Sequence, residues 1–350
     1  MIGLLSDACK ADGTWREGER IEKGHSQLVW LDGKIYIGTM GFHDAAGNEN
    51  SPQMQLALKS HGAHLMAYDP AADRLVDCSR TQPDGVFFKG RGFMTLAAIP
   101  ESGVVGALTV PHGDLLLYDP KTGQPRMIVP GVAEEFGRHV SREIIPAGSK
   151  IYYAYTAPEG SKAPGHMYVF DMETGKRSDK PVEIASNPWN GQVRTSDGTG
   201  IYLTNQPGEL FRFHPENGAL ETLGNLIPEE ELRPIQDSEF RYAGARVLGM
   251  ALSADERYIY TIPVRKKTAL ADSAGEGKAK GLGMRPVGLC RHDLRTGVSR
   301  RIAEMPKNFG GGNITGSAIR DSQGSVYFVR HGGPGGTYGL VKVSFRAAGE

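Results

Sequence analysis

The segment "HLMAYDPAADRLV", residues 64 to 76, decides the fold, because its pattern returns along the whole chain. In this segment, an alternating apolar run ends at an acidic residue and a proline turn, and a second run follows. Four further segments repeat the pattern, and a shorter one closes the chain: "DLLLYDPKTGQPRMI", "HMYVFDMETGKRSD", "ELFRFHPENGALETL", "GLCRHDLRTGVSRRI" and "GLVKVSF". The equivalent turn residues, which lie 50, 52, 43, 79 and 51 residues apart, are Asp69, Asp119, Asp171, His214, Asp293 and Ser344.

Two more runs precede each of these segments, for example "HSQLVWL" and "GKIYIGT" before the first. Their period-two alternation and their β-branched and aromatic residues predict strands, and the Asp-Gly, Ser-Gly and Thr-Gly corners predict hairpins. Each repeat is therefore expected to be a four-stranded antiparallel meander, whose strands we name a, b, c and d in chain order. Such meanders stack radially into a β-propeller. The sequence thus predicts an all-β chain, residues 1 to 350, folded as a single propeller domain with six visible blades and seven possible.

Two regions depart from the repeat. The last repeat ends after strand c near Phe345, so we expect residues 1 to 20 to supply its outer strand. The 79-residue step holds two inserted segments, residues 226 to 246 and 265 to 286. Neither carries the repeat pattern, so they are predicted to be long loops, although the first could hide a degenerate seventh blade.

Composition excludes several classes of protein. Lysine and arginine balance aspartate and glutamate at 40 each, so bulk charge gives no reason to expect binding to nucleic acid or to an anionic membrane. No apolar run is long enough to predict a membrane-spanning helix. Three cysteines without a CxxC pair indicate neither a disulfide framework nor a zinc site, and Cys78 and Cys290 are expected to be small buried hydrophobes.

The sequence leaves the compartment open. The N-terminal stretch lacks the basic and apolar regions of a signal peptide. We expect a secreted or periplasmic protein if a leader has been removed, and a cytoplasmic one otherwise. The oligomeric state is open as well.

One face of the predicted propeller collects the long loops. In an antiparallel meander, the start of strand a and the end of strand b share one face, and the short a/b and c/d turns share the other. The long insertions all lie on the first face, where function usually resides. Histidines, arginines and tyrosines converge there, and carboxylates are nearly absent. These residues are His25, Arg91, His139, Arg142, Arg194, Tyr242 and Arg246 at or just before strand a, and His43, His112, Tyr155, Arg265, Arg330 and His331 at or just after strand b.

This set of side chains suits the binding and cleavage of an acidic sugar chain. Cations converging on a channel attract anions, and arginine clamps a carboxylate or sulfate through two hydrogen bonds. β-Elimination from a uronic acid needs a base for the proton α to the carboxylate, an acid for the departing oxygen, and a cation that neutralises the carboxylate. Histidine titrates near neutral pH, and tyrosine acts as acid or base where a cation lowers its pKa. Hydrolytic glycosidases need paired carboxylates instead.

The stretch "KGHSQLVWLDGKIYIGTMGFHD", residues 23 to 44, places His25 and His43 around the first hairpin. Together with "KGRGFMTL", "TVPHGDLLLYDP", "GRHVSREI" and "IYYAYT", it resembles the propeller-fold polysaccharide lyases that cleave ulvan, an algal sulfated glucuronate polymer. Those enzymes use histidines, a tyrosine and an arginine on one face of a propeller. The motifs cover about the first 160 residues. The residues in similar positions are His25, His43, Arg91, His112, His139, Arg142 and Tyr155.

The resemblance implies a lyase for a uronic-acid-containing, ulvan-like polysaccharide or oligosaccharide. We hypothesise that Tyr155 or His43 transfers the proton and that His25 is the partner acid or base. Arg91 and Arg142 then neutralise the carboxylate. The alternative for Tyr155 is a core position, because it shares a strand face with Tyr153 in "YYAYT". The remaining residues are expected to bind substrate: His112, His139, Arg194, Tyr242, Arg246 and His331.

Two other functions stay open. His61 and His64, together with His25 and His43, could bind a divalent metal in a metal-dependent propeller lyase or lactonase. The other alternative is a non-catalytic propeller that binds carbohydrate or protein, in which Trp189 could stack on a sugar ring. The predicted partner is an anionic oligosaccharide or polysaccharide. No cofactor is predicted beyond that metal alternative.

Overall fold

The computed structural model of the chain describes residues 5–17, 21–24, 28–41, 61–136, 140–155, 164–184, 190–236, 240–269, 284–306, 309, 312–315, 320, 323–331 and 339–345. Within these ranges the chain is almost entirely β-structure. The helices in these ranges are all too short to span a lipid bilayer. The chain divides into two compact units, Met1–Asn187 and Pro188–Glu350.

The described part of the first unit contains three antiparallel sheets, one α-helix and two short 3-10 helices. The helices are α1 (Leu5–Ala11) and the 3-10 segments Cys78–Thr81 and Ala133–Phe136. The first sheet comprises β1 (Ile21–Gly24), β2 (Val29–Leu31), β3 (Lys34–Gly41), β4 (Leu65–Asp69) and β5 (Arg74–Asp77). The second comprises β6 (Gly92–Ile99), β7 (Val104–Val110), β8 (Leu115–Asp119) and β9 (Gln124–Val129). The third comprises β10 (Val140–Ala147), β11 (Lys150–Tyr155), β12 (Gly165–Asp171), β13 (Lys176–Arg177) and β14 (Val182–Ile184).

The described part of the second unit contains four sheets and the short helix α2 (Glu229–Leu232). One sheet comprises β15 (Gly191–Arg194), β16 (Ile201–Thr204), β17 (Glu209–His214) and β18 (Ala219–Asn225). The next comprises β19 (Ile235–Gln236), β20 (Phe240–Tyr242), β23 (Val264–Ala269) and β24 (Met284–Pro286). The third comprises β21 (Ala251–Leu252), β22 (Tyr258–Thr261), β25 (Leu289–Asp293) and β26 (Val298–Ala303). The last comprises β27 (Asn313–Thr315), β28 (Val326–His331) and β29 (Gly339–Val343).

The c/d turns explain why the repeat carries an acidic residue. Oδ1 of Asp69 accepts the backbone N–H groups two and three residues further along, at 3.0 and 3.1 Å. Asp119, Asp171 and Asp293 accept the N–H two residues further along at 2.9, 2.8 and 2.9 Å. A side chain that satisfies these N–H groups fixes the chain reversal locally. The predicted repeats are confirmed, because each of the six corresponds to one antiparallel sheet.

The sheets pack closely because small residues lie where neighbouring sheets approach. A Cβ atom on Gly38 of β3 would lie 2.8 Å from Cβ of Phe93, and one on Gly106 of β7 would lie 3.1 Å from Cδ1 of Ile144. Both glycines occupy strand b of their repeats and face strand a of the next. Every residue of β7 is buried. β7 is thus an inner strand of its sheet that is covered on both faces.

Helix α1 lies where the sequence predicted a strand. Leu5–Ala11 contact β5 of the first sheet, and Cys9 is fully buried there. The prediction that residues 1 to 20 supply the outer strand of the last repeat is therefore wrong for this segment. Its sequence, "LSDACKA", contains the good helix formers alanine, leucine and lysine and few β-branched residues.

The two inserted segments contain strands where the sequence predicted loops. β23 and β24 prolong the b/c hairpin of the fifth repeat beyond β22 and β25, and β20 from the first insertion pairs with β23. We call these four strands, β19, β20, β23 and β24, the inserted sheet. It is built from two separate segments, so it is not a consecutive meander like the six repeats. Charged residues in "VRKKTA" interrupt the apolar alternation that marks a strand in a sequence.

Glu231 of α2 forms ion pairs that join the first inserted segment to β23 and β26 of the second unit. Its Oε2 accepts from Nη2 of Arg265 at 2.8 Å, and its Oε1 lies 3.0 Å from Nη1 of Arg301. The side chain of Arg265 is only 4% exposed, and its Nη1 also donates to the carbonyl of Arg233 at 2.7 Å. Removing one charge from such a buried pair leaves the other charge uncompensated.

We expect Glu231→Gln to lower the free energy of unfolding by about 3 kcal/mol, because the buried Arg265 guanidinium loses its counter-charge. Urea denaturation followed by circular dichroism measures the effect. Glu230→Gln is the matched control, since Glu230 is its exposed neighbour on the same helix. Equal midpoints for the two variants would contradict the anchoring role.

Candidate functional site

Part of the predicted site lies outside the described residues. His25, His43 and His139 fall there. His331 ends β28, where it pairs with Asn313 of strand a, so the two residues share one end of that hairpin as the sequence predicted. The site can be built from the remaining predicted residues.

Arg91 lies at the end of the second sheet where the long loops are. Gly92 begins β6 and pairs with Val110, the last residue of β7, so Arg91 lies just beyond the paired ends. Its Nε donates to Oδ2 of Asp114 at 2.5 Å, and its Nη1 donates to the carbonyl of Lys89 at 3.3 Å. These two bonds fix the plane of the guanidinium.

Asp114 is a carboxylate of this site that the sequence analysis did not select. Its side chain is 8% exposed, and its Oδ1 accepts the N–H of Gly131 at 3.0 Å. Oδ2 accepts from the hydroxyl of Thr109 at 3.1 Å, in addition to Arg91. Asp114 immediately precedes strand c of its repeat, β8, so its sequence position resembles a turn residue of the repeat. A buried carboxylate with three donors is a rigid support for Arg91.

Arg91 is only partly occupied by its bonds to Asp114 and Lys89. The side chain is 33% exposed, and in the described part of the chain its Nη2 has no hydrogen-bond acceptor. Three of the five guanidinium N–H groups stay available after the bonds to Asp114 and Lys89 are counted. Two of them lie on the Nη1 and Nη2 edge, which matches the two oxygens of a carboxylate or sulfate.

Tyr155 ends β11 and is completely buried. Its hydroxyl donates to the carbonyl of Gly113 at 2.7 Å and accepts the N–H of Val132 at 3.3 Å. Its ring packs edge-to-face on Tyr168 with the centroids 5.5 Å apart. Burial raises the pKa of the hydroxyl, and the neighbouring Tyr153 adds to this. The surroundings therefore stabilise the neutral phenol, and the structure places Tyr155 in the core position that was the alternative.

The hydroxyl of Tyr155 joins the loops that carry His112 and Asp114 to the third sheet. The carbonyl of His112 accepts the N–H of Ala133 at 3.2 Å, which ties the loop before β8 to the loop after β9. Val140, at the start of β10, pairs with Tyr155, and the half-buried Arg142 follows two residues later. The structure thus brings Arg91, His112, Arg142 and Tyr155 to the same end of adjacent sheets.

Arg194 does not lie at this end of its repeat. It is the last residue of β15 and pairs with Ile201, so it lies beside the a/b turn. The start of strand a is Gly191, which pairs with Thr204. The predicted position of Arg194 at the mouth is therefore corrected. β15 begins at Gly191, three residues before Arg194. The sequence "NGQVR" shows little alternation of apolar and polar residues, so it does not mark this start.

Tyr242 and Arg246 belong to the base of the inserted sheet in the second unit. Tyr242 is 4% exposed, and the guanidinium of Arg285 lies 5.4 Å from the centre of its ring. Arg246 forms an isolated bridge with Val264, and its Nη2 lies 3.4 Å from Sδ of Met284. Both side chains pack within this unit.

His61 and His64 have separate surroundings. Nε2 of His61 is 3.0 Å from the carbonyl oxygen of Asp84. His64 is fully buried, and its Nδ1 is 2.6 Å from Oδ2 of Asp77. Among the described residues, the group with metal-ligand spacing is Cys9, His64 and Asp77, so it includes His64 but not His61.

Comparison with known proteins identifies the fold. No protein-family model matches the sequence, and no curated protein matches it. Hydrazine synthase of Kuenenia stuttgartiensis is similar with a TM-score of 0.53 and 12% identity, over 88% of this chain and 74% of that chain. A chain of the mitotic checkpoint complex is similar with a TM-score of 0.50 and 8% identity, over 95% and 93%. The β-propeller domain of Cps50 (Swd1) from Myceliophteria thermophila has a TM-score of 0.45 and 9% identity, over 93% and 98%.

The fold is a β-propeller. At identities this low, the similarity concerns the fold alone and carries no activity to this chain. The six sheets that correspond to the repeats are its blades, and Arg91, Asp114 and Tyr155 lie on the second and third of them.

We expect Tyr155→Phe to destabilise the propeller by about 1 to 2 kcal/mol, because the buried carbonyl of Gly113 loses its donor. Urea denaturation of the folded protein measures the loss. Tyr68→Phe is the matched control, since the hydroxyl of Tyr68 bonds Asp73 at the surface. If both variants unfold at the same midpoint, the hydroxyl of Tyr155 does not hold the loops together.

Proposed function

We propose that this propeller binds an anionic, uronic-acid-containing polysaccharide or oligosaccharide at the end of the blades that carries Arg91, and that it cleaves the chain by β-elimination. The observation that carries the proposal is the Arg91 guanidinium, fixed on one side by Asp114 and exposed on the other. Half-buried His112 and Arg142 lie at the same end of these blades.

Arg91 is suited to neutralising a substrate carboxylate. The proton α to a carboxylate is weakly acidic until the negative charge of that carboxylate is offset. An arginine whose plane is already fixed loses little side-chain entropy when it binds two oxygens. Asp114 offsets part of its charge, but one third of the Arg91 side chain stays exposed.

Proton transfer is assigned to His43, with His25 as partner. The base takes the proton α to the carboxylate, the bond from the β carbon to the glycosidic oxygen breaks, and a carbon–carbon double bond forms. The acid then protonates the departing oxygen. Histidine fits both roles near neutral pH. Tyr155 is less suited, because burial raises its pKa and its hydroxyl is hydrogen-bonded to the backbone of Gly113 and Val132.

Hydrolysis is the less favoured chemistry at this end of the blades. A hydrolytic glycosidase needs two carboxyl groups that flank the scissile bond. Among the described residues, Asp114 is already bonded to Arg91, Thr109 and Gly131, and Glu143, which follows Arg142 in β10, is buried. A non-catalytic carbohydrate-binding propeller would use the same arginine without His43, and the experiments below separate the two.

We expect the purified protein to raise the ultraviolet absorbance of ulvan or another uronate polysaccharide, because elimination forms an unsaturated uronate. Arg91→Gln is expected to lower kcat/KM by about a hundredfold, since a donor that stabilises the developing charge is lost. Arg126→Gln is the matched control, because Arg126 is exposed on β9 of the same blade. The same assay with a chelator tests the metal-dependent alternative, because a metal-dependent lyase would lose its activity.

A flat absorbance trace with saturable binding, weakened by Arg91→Gln, would replace the lyase by a binding propeller. A flat trace without binding to glucuronan, ulvan, pectate, alginate or glycosaminoglycans would overturn the proposed function altogether.

We expect His43→Ala to lower kcat by at least about a hundredfold while the circular dichroism spectrum is unchanged, because general acid–base catalysis is lost. His214→Ala serves as control, since His214 lies at a c/d turn beside Glu221. An unaltered rate for His43→Ala would remove this residue from the mechanism.

A further inference from the structure

Three side chains with metal-binding chemistry meet beneath the N-terminal helix. Cys9 lies on α1, His64 immediately precedes β4, and Asp77 ends β5. All three are 0% exposed. One ligand atom from each lies within 4.8 Å of the others. We call this group the Cys9 cluster. The three residues come from separate segments of the chain, so their spacing in the sequence does not predict a metal site.

Surrounding hydrogen bonds hold the oxygen and nitrogen atoms of the Cys9 cluster in place. Oδ2 of Asp77 accepts from the hydroxyl of Thr14 at 2.5 Å and is 2.6 Å from Nδ1 of His64. Oδ1 of Asp77 accepts the N–H of Ser79 at 2.8 Å. The backbone N–H of His64 donates to the hydroxyl of Thr39 at 2.8 Å. A site whose supporting groups are already positioned loses little entropy when it binds an ion.

Charge favours a cation at this place. Within the described residues, no lysine or arginine forms an ion pair with Asp77, whose side chain has 0% exposure. A buried carboxylate without a full counter-charge is costly. Once Cys9 has lost its thiol proton on binding, thiolate and carboxylate together supply two negative charges, which a divalent ion cancels.

We propose that Cys9, His64 and Asp77 form a binding site for a divalent transition-metal ion of the zinc type. Thiolate sulfur, imidazole nitrogen and carboxylate oxygen are the three ligand types that zinc takes in proteins. Binding forms a metal–sulfur bond, and the thiol proton of Cys9 leaves to solvent. The ion would join α1 to the first blade. This inference uses no part of the proposed polysaccharide site.

The thioether of Met66, next to Cys9, also favours a metal ion of the zinc type. Sδ of Met66 lies 3.7 Å from Sγ of Cys9 and is also fully buried. The cluster is thus a buried site that contains sulfur, nitrogen and oxygen atoms, with a second sulfur beside Cys9. Such a site is expected to be structural, because it offers no route for a substrate.

Cobalt(II) is the probe, because its spectrum reports both thiolate ligation and coordination geometry. We expect the full-length protein, after treatment with a chelator, to bind one equivalent of Co²⁺ with a thiolate-to-cobalt charge-transfer band and the strong visible bands of tetrahedral coordination. Zn²⁺ should displace the cobalt and raise the melting temperature. Cys9→Ser should lose the charge-transfer band.

Cys290→Ser is the matched control, because Cys290 is also 0% exposed but lies in β25 of the other unit. It should keep the band. X-ray absorption spectroscopy of the unaltered protein with bound Co²⁺ is a second, independent measurement. It tests the proposal even where the Cys9→Ser variant does not fold. It should report one sulfur and at least two nitrogen or oxygen ligands. No charge-transfer band, or a first shell without sulfur, would overturn the proposal and leave a hydrogen-bonded cluster.

Discussion

The antiparallel pairing of strand b with strands a and c is the constraint on which this molecule depends. β7 is buried along its whole length, so its N–H and C=O groups must be satisfied by β6 and β8. The chain therefore reverses at each turn, and the residues just before strand a meet those just after strand b. Arg91 and His112 share one end of the second blade for this reason. The same rule places Asn313 beside His331 in the last repeat.

Buried polar groups, rather than loops alone, position the candidate site. Asp114 links Arg91, Thr109 and the N–H of Gly131, and the hydroxyl of Tyr155 links the adjoining loop to the third blade. Each of these groups has several partners, which makes the arrangement rigid. The partly exposed Arg91 is thus supported by a carboxylate, and the loop that carries this carboxylate is tied to the third blade by Tyr155. Preorganisation of this kind lowers the entropy cost of ordering a site when a ligand binds.

Two buried aspartates of the first unit illustrate how the surroundings decide a role. Asp114 has a guanidinium 2.5 Å away, so its charge is offset and it acts as a support. Asp77 has an imidazole 2.6 Å away and a thiol in the same cluster. Carboxylate, imidazole and thiol in one closed space form a ligand set for a metal ion, which the first aspartate lacks. The residue type is the same, but the neighbours brought by the fold differ.

The sequence by itself determined the six repeats, the strand order and the acidic c/d turns, because period-two alternation and Asx-turn chemistry are local properties. It also placed Arg91, His112 and Arg142 at one end of the blades, because register follows from the turns. Only the tertiary structure decided that Leu5–Ala11 are helical, that the inserted segments form strands, and that Arg194 lies at the opposite end. It alone joined Arg91 to Asp114 and Cys9 to His64, since contacts between distant segments depend on packing that no local pattern encodes.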